Sequence, residues 1–242
     1  MEQKFFFFDI DNTLAVWPEG KIPNSAQYCI DELQRRGHLV SIATGRIQVD
    51  AMRFAEQARI TNVVADGGHS ITIDGNLVSM IGMNREMCIQ YLEYLESKHI
   101  PWAVTDRNKL GRITPYKEIL EWHPDWDVFK TVVDPEFDFH SVEDFYKIYV
   151  FFKDGEEEEK DIEHMTHKLI RYGEGCVLYE PMEKALGIRN MIGHFDMKPN
   201  QVVVFGDGYN DLSMFRPEWL NIAMGNARPE LKLEADYVTT DC

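Results

Sequence analysis

Two periods of apolar residues take turns along this chain. Lys4 to Ile10 is a short continuous apolar run closed by acids, the pattern of a strand buried on both faces. From Asn24 or Ser25, as helix cap, Ala26, Ile30 and Leu33 recur at helical spacing up to Gly37. A strand over Leu39–Ala43, a helix over about Gln48–Ala58 and a strand over Asn62–Ala65 follow. Ser70–Ile73 and Leu77–Ile81 flank Asp74-Gly75-Asn76, a hairpin signal. Strand and helix in alternation predict a parallel sheet covered on both faces.

The pattern changes near Met83. The spacing predicts a helix to about Lys98, then short segments rich in Trp, Pro and Asp, and a strand over Phe145–Phe152. A helix over Glu156–Arg171 would bury Ile162, Met165 and Leu169, with Glu156–Glu159 as its solvated first turn. Val177–Glu180 reads as a strand. Alternation then resumes: a helix from Lys184 to Phe195, a strand over Val202–Phe205, a second helix after Gly206-Asp207, a strand near Asn221–Met224, a helix from Arg228 and a strand at Tyr237–Thr239. The fold class expected is α/β, a Rossmann-like three-layer core of residues 1–82 and 184–242 interrupted by an α+β domain at 83–183.

Composition narrows the partners. A formal net charge of −16 repels phosphate backbones, which argues against nucleic acid. An anionic substrate must then be drawn in by a metal, a Lys or backbone N–H groups. Cys29, Cys88, Cys176 and Cys242 form no C-x-x-C pair, and scattered thiols suit a reducing cytosol. The start of the chain does not resemble a signal peptide, and no apolar run approaches the length of a membrane span.

Three signals stand at the carboxyl ends of expected parallel strands, where open α/β sheets hold ligands. In Asp9-Ile10-Asp11-Asn12-Thr13-Leu14, strand alternation sets Asp9 and Asp11 on one side. Two carboxylates so close need a cation or a shared proton between them, and a hard cation with oxygen ligands, Mg²⁺, fits. The competing reading is an ordinary Asp/Asn turn. Ser41-Ile42-Ala43-Thr44-Gly45-Arg46 offers a hydroxyl and helix-start N–H groups to a phosphoryl oxygen; on its own it is only a turn. Gly206-Asp207-Gly208-Tyr209-Asn210-Asp211 sets two glycines beside acids, suited to close approach of a metal or anion. An EF-hand would also put a Glu where Glu218 stands, but it requires Gly where Leu212 is found and does not suit Tyr209.

Jointly these residues resemble the haloacid dehalogenase superfamily: D-x-D-x-T at Asp9–Thr13, the strand-end Thr44, a Lys, and G-D-G-x-N-D at Gly206–Asp211. The insertion resembles the cap of its Cof-type (IIB) phosphatases in position and size. The resemblance implies a Mg²⁺-dependent phosphomonoesterase acting on a small phosphorylated metabolite, a sugar phosphate or phosphorylated cofactor, in the cytoplasm. It implies Asp9 as nucleophile and Asp11 as general acid/base. Thr44 and the Lys would bind the phosphoryl group, with Gly45, Arg46 and Asn210 as further substrate contacts. Asp9, Asp207, Asp211 and the Asp11 backbone carbonyl would surround the metal.

Lys184 is the Lys expected, although Glu180-Pro181-Met182-Glu183 is shorter than the usual pattern before it. Lys198, before a Pro, is the reserve. Asp66-Gly67-Gly68 stands where the family often has Asn-Gly-Ala, so substrate contacts there are open. In the insertion, Arg107, Lys109, Arg112 and Tyr116 are either leaving-group contacts or surface decoration. Trp102, Trp122 and Trp126 read as core of that insertion, and His69 as a bystander. A phosphomutase and a non-catalytic phospho-ligand binder are the alternatives. A dehalogenase would not need Asp11, and a transport ATPase would need membrane spans.

Overall fold

The computed structural model describes residues 2–16, 20–125, 128–153 and 169–242. The chain divides into two compact units, Met1–Met80 with Met182–Cys242, and Ile81–Pro181.

In chain order the first unit begins with β1 (Phe5–Phe8), α1 (Asn24–Arg35), β2 (Leu39–Ala43), α2 (Gln48–Ala58), β3 (Asn62–Ala65), β4 (Ser70–Ile73) and β5 (Asn76–Met80). The second unit holds α3 (Arg85–Ser97), β6 (Trp102–Thr105), β7 (Gly111–Thr114), α4 (Ile119–Trp122), β8 (Lys130–Val133), β9 (Lys147–Phe151), β10 (Leu169–Gly173) and β11 (Cys176–Tyr179). The first unit is completed by α5 (Lys184–His194), β12 (Val202–Gly206), β13 (Leu220–Ala223), α6 (Pro229–Leu233) and β14 (Tyr237–Val238).

The sheet of the first unit runs β14-β13-β12-β1-β2-β3-β4-β5. It is parallel from β14 to β3, and β4 and β5 turn back antiparallel. Phe5 and Phe7 point into the core shared with Ile188 and Met191 of α5. Phe8 joins Ile30 of α1 and Ala51, Phe54 and Ala55 of α2 on the other face. That is why the apolar run of β1 shows no alternation: both of its faces are covered. β1 lies between β12 and β2, so the chain winds outward on one side and returns on the other. The carboxyl ends of β1, β2 and β12 therefore meet at a switch point, where side chains from distant parts of the sequence converge.

In the second unit the order is β10-β11-β9-β6-β7-β8. One core there gathers Tyr91, Leu92 and Leu95 of α3 with Trp102, Ile148 and Val150. Among the described residues no helix is long and apolar enough to cross a membrane.

Four expectations are corrected. Asn24 is the first helical residue of α1 and Pro23 precedes it, with no side-chain cap. Leu169–Arg171 belongs to β10, which pairs with β11 across Gly173-Glu174-Gly175, so the helix expected over Glu156–Arg171 does not reach Arg171. The rest of that helix, and Trp126, lie outside the described residues. After Gly206-Asp207 only a 3-10 turn forms, Tyr209–Ser213, because Asp211 folds back on the backbone and Pro217 follows too soon for an α-helix. The hairpin strand β5 begins at Asn76: Asp74 and Gly75 both have positive φ (48° and 78°), the two-residue turn that matches strand twist.

Candidate active site

Lys184 is the centre of the switch point. It is 1 % exposed, and its Nζ donates to Asp9 Oδ1 at 2.7 Å and to Asp211 Oδ1 at 2.6 Å. Burial alone would lower its pKa, but the two carboxylates raise it, so it stays an ammonium. Its place is set by a close approach of backbones. Gly67 accepts from the Glu183 N–H at 2.7 Å. A Cβ on Gly68 (φ 110°) would stand 2.2 Å from the Glu183 carbonyl, and one on Gly187 would stand 2.5 Å from Val64. Asp66-Gly67-Gly68 is thus the seat on which α5 starts. His69 joins in, with Nε2 2.9 Å from Glu183 Oε2. These glycines carried a signal in the sequence, Gly-Gly after one strand and Gly187 one turn into the Lys helix, which motif reading passed over. Lys198 is exposed, at the other end of α5, before β12.

Asp211 is fully buried and all of its contacts are internal. Oδ1 accepts from Lys184, and Oδ2 accepts from the backbone N–H groups of Asp207 and Gly208, each at 2.9 Å. Gly206 makes room: a Cβ there would meet the Asp211 carboxyl at 2.6 Å. Asp9 has Oδ1 on Lys184, and Oδ2 has no partner among the described residues. Burial, then repulsion from Asp211, raises the Asp9 pKa well above the usual carboxylate range. Asp207 accepts from the Thr13 hydroxyl at 3.3 Å, which gives the Thr of the first motif a partner. Burial and Asp211 push its pKa up to about 6.

Asp9, Asp207 and Asp211 each offer an oxygen within 4.8 Å of one another. An all-oxygen, all-carboxylate set beside one ammonium fits a hard divalent cation. With both Asp211 oxygens already accepting, the free acceptors are Asp9 Oδ2 and Asp207 Oδ2. Asp211 also braces Lys184 and the Asp207 loop, and it stays within the group of three carboxylates that could hold the cation. Asp11 is among the charges that act on Asp9. It lies in the turn beyond β1, where Asn12 has φ 56°, and both its oxygens bond to Arg46, at 2.7 and 2.9 Å.

Thr44 is 1 % exposed at the end of β2, and its Oγ1 accepts from the Arg46 backbone N–H at 3.1 Å, which leaves the hydroxyl hydrogen to be donated elsewhere. Gly45 follows in the same turn. Arg46, expected among the substrate contacts, spends its guanidinium on Asp11 and Asp50. Asn210 is part-buried in the 3-10 turn.

In the second unit, Arg107 pairs with Asp106 and is exposed, as is Lys109; both line a cavity of about 180 Å³ with Ile113, Lys130 and Val132. Arg112 is 3 % exposed, stacked 4.8 Å from the Phe151 ring centre and bonded to Thr131 and the His123 carbonyl. Tyr116 donates to Glu96 at 2.6 Å, and Trp102 donates to the same oxygen. Trp102 is core, and Trp122 is partly buried against the separate, smaller cluster around Phe151.

Residues 6–242 match the sequence profile of the haloacid dehalogenase-like hydrolases. The chain belongs to that family. It is 29% identical over 245 residues to YkrA of Bacillus subtilis, a protein named as a phosphatase, covering 99% of this chain and 93% of that one. It is 27% identical over 240 residues to a Streptococcus pyogenes protein named as a bifunctional phosphatase and peptidyl-prolyl cis-trans isomerase, covering 98% of this chain and 50% of that protein, so the chain spans half of its length. A sugar phosphatase of haloacid dehalogenase subclass IIB has the same fold: TM-score 0.77, 25% identity, 98% of this chain and 94% of that one. The chain is therefore a haloacid dehalogenase-type phosphatase, and members of this family use a divalent metal.

Proposed function

We propose that the protein is a Mg²⁺-dependent phosphomonoesterase that hydrolyses a small phosphorylated metabolite, a sugar phosphate or a phosphorylated cofactor, through a phospho-aspartate on Asp9. The observation that carries this reading is Asp9 itself. One oxygen is pinned by Lys184 and the other has no partner among the described residues, so the carboxylate is held still with a lone pair to offer. The sugar phosphatase with the same fold supports a sugar phosphate as the substrate class.

In the first half-reaction the Asp9 carboxylate attacks phosphorus. The bond from phosphorus to the ester oxygen breaks, its electron pair goes to that oxygen, and the Asp11 carboxyl supplies the proton. In the second, water attacks the phosphoryl phosphorus, gives its proton to Asp11, and Asp9 leaves as a carboxylate. Lys184 and the Thr44 hydroxyl offset phosphoryl charge throughout. Asp9, Asp207 and Asp211, with the Asp11 carbonyl, would hold Mg²⁺, which supplies the remaining positive charge. Residues 83–183 act in this reading as the cap that reads the leaving group, with Arg107 and Lys109 among its exposed cations. Phosphate release is measured across a panel of sugar phosphates, pyridoxal phosphate and flavin mononucleotide, with Mg²⁺ and then with excess chelator. Turnover of one class that disappears on chelation is expected; turnover undiminished in chelator rejects the metal, and no release from any ester rejects the phosphatase reading.

A further inference from the structure

The Arg46 guanidinium is held on three sides. Its Nε and Nη2 donate to Asp11 Oδ2 and Oδ1 at 2.9 and 2.7 Å, a two-pronged fork on one carboxylate. Its Nη1 donates to Asp50 Oδ2 at 2.5 Å, one turn along α2. Its plane lies 4.5 Å from the Phe54 ring centre. The backbone is fixed as well: the Arg46 N–H donates to Thr44 Oγ1 at 3.1 Å, and its carbonyl accepts from the Asp66 N–H at 2.8 Å. Asp50 is itself braced by Arg53 at 3.2 Å. Asp11 has no such support of its own. It stands in a turn, and its side chain is 40% exposed. A carboxylate there would sample several rotamers, and only some would aim at a reacting oxygen.

We infer that Arg46 is a positioning residue: it acts through Asp11, fixing the plane of the carboxyl that carries the proton, and does not bind substrate. The inference rests on the acid/base role proposed above for Asp11. Phe54 and Asp50 fix the fork from behind, so the orientation is transmitted from the start of α2 to the exposed side chain of Asp11. A fork, and not charge alone, is required. An ammonium offers one point and cannot set the plane of a carboxylate.

The test is a cycle of variants, Arg46→Ala, Arg46→Lys, Asp11→Asn and Arg46→Ala/Asp11→Asn, assayed with p-nitrophenyl phosphate and with the best alkyl phosphate of the panel. For the alkyl ester, whose leaving oxygen needs a proton, Arg46→Ala is expected to lower kcat about tenfold to a hundredfold with KM changed by less than about twofold. Arg46→Lys should lose nearly as much. In the Asp11→Asn background, Arg46→Ala should cost nothing further, since there is no carboxyl left to orient. Phosphoenzyme formation from p-nitrophenyl phosphate, whose leaving group needs no proton, should be far less affected, and it also reports that the variants are folded. A raised KM at unchanged kcat, full rescue by Lys, or an undiminished further loss in the Asp11→Asn background would overturn the inference and return Arg46 to the substrate. A wild-type protein that releases no phosphate from any ester fails the proposed function instead, and the role given to Arg46 falls with it.

Discussion

Among the described residues each unit buries a lysine against acid. Lys147 of the second unit forms an ion pair with Glu180. Lys184 of the first unit stands alone among Asp9, Asp207 and Asp211. An ion pair of this kind is explained by packing and needs no ligand. An excess of carboxylate at the ends of two strands is not, because burial and the Asp211 charge raise the pKa of both Asp9 and Asp207 in the absence of a further cation. Function is thus marked by unbalanced buried charge rather than by buried charge itself.

The comparison is broken most severely at Asp9. Asp9→Asn should reduce turnover by at least about 10⁴ and abolish phosphate incorporation, read by mass spectrometry of rapidly quenched protein. A phosphate adduct on any residue of that variant would remove the nucleophile from the position given to it. Asp11→Asn should lower turnover by about 10²–10⁴ and, with p-nitrophenyl phosphate, accumulate phosphoenzyme, because water is no longer activated.

The two lysines sharpen it next. Lys184→Ala leaves two carboxylates without their cation and should destabilise the protein by about 3–5 kcal/mol, and turnover per folded molecule should fall about tenfold to a hundredfold. Lys147→Met should destabilise it by a similar order, yet per folded molecule turnover should hold. Equal loss of turnover from both variants, measured beside denaturant curves, would mean that the two units do not differ in the way argued here.

The smallest effect is in pH. Asp207 titrates at about 6 in the metal-free fold against 3.8 ordinarily, so between those values the folded protein keeps a proton that the unfolded chain has released. Stability of the metal-free protein should fall as pH rises through this window. Asp9, shifted the same way, adds to the trend. Mg²⁺ should raise Tm more at pH 7.5 than at pH 5, because it competes with those protons. A metal-free Tm that climbs from pH 4 to 6 would contradict the assignment.

Much of this protein was legible in one dimension. The periods of β1, β2, α2 and β3 appear where the apolar pattern puts them, because each depends on neighbours within one element. Asp9, Thr44 and Asp207 could be singled out because all three end a strand, and strand ends are visible locally. What lies across the chain was not legible. Lys184 could be preferred to Lys198, which stands before a Pro, but its burial could not be read: it is set by Gly67, Gly68 and Gly187, which let α5 start against the end of β3. Nor could the fork of Arg46 on Asp11, or the bonds of Asp211 to Lys184 and the Asp207 loop, be read from the sequence. A side chain's valences are filled by partners that only tertiary folding brings within 3 Å, 35 residues away for Asp11 and 27 for Lys184.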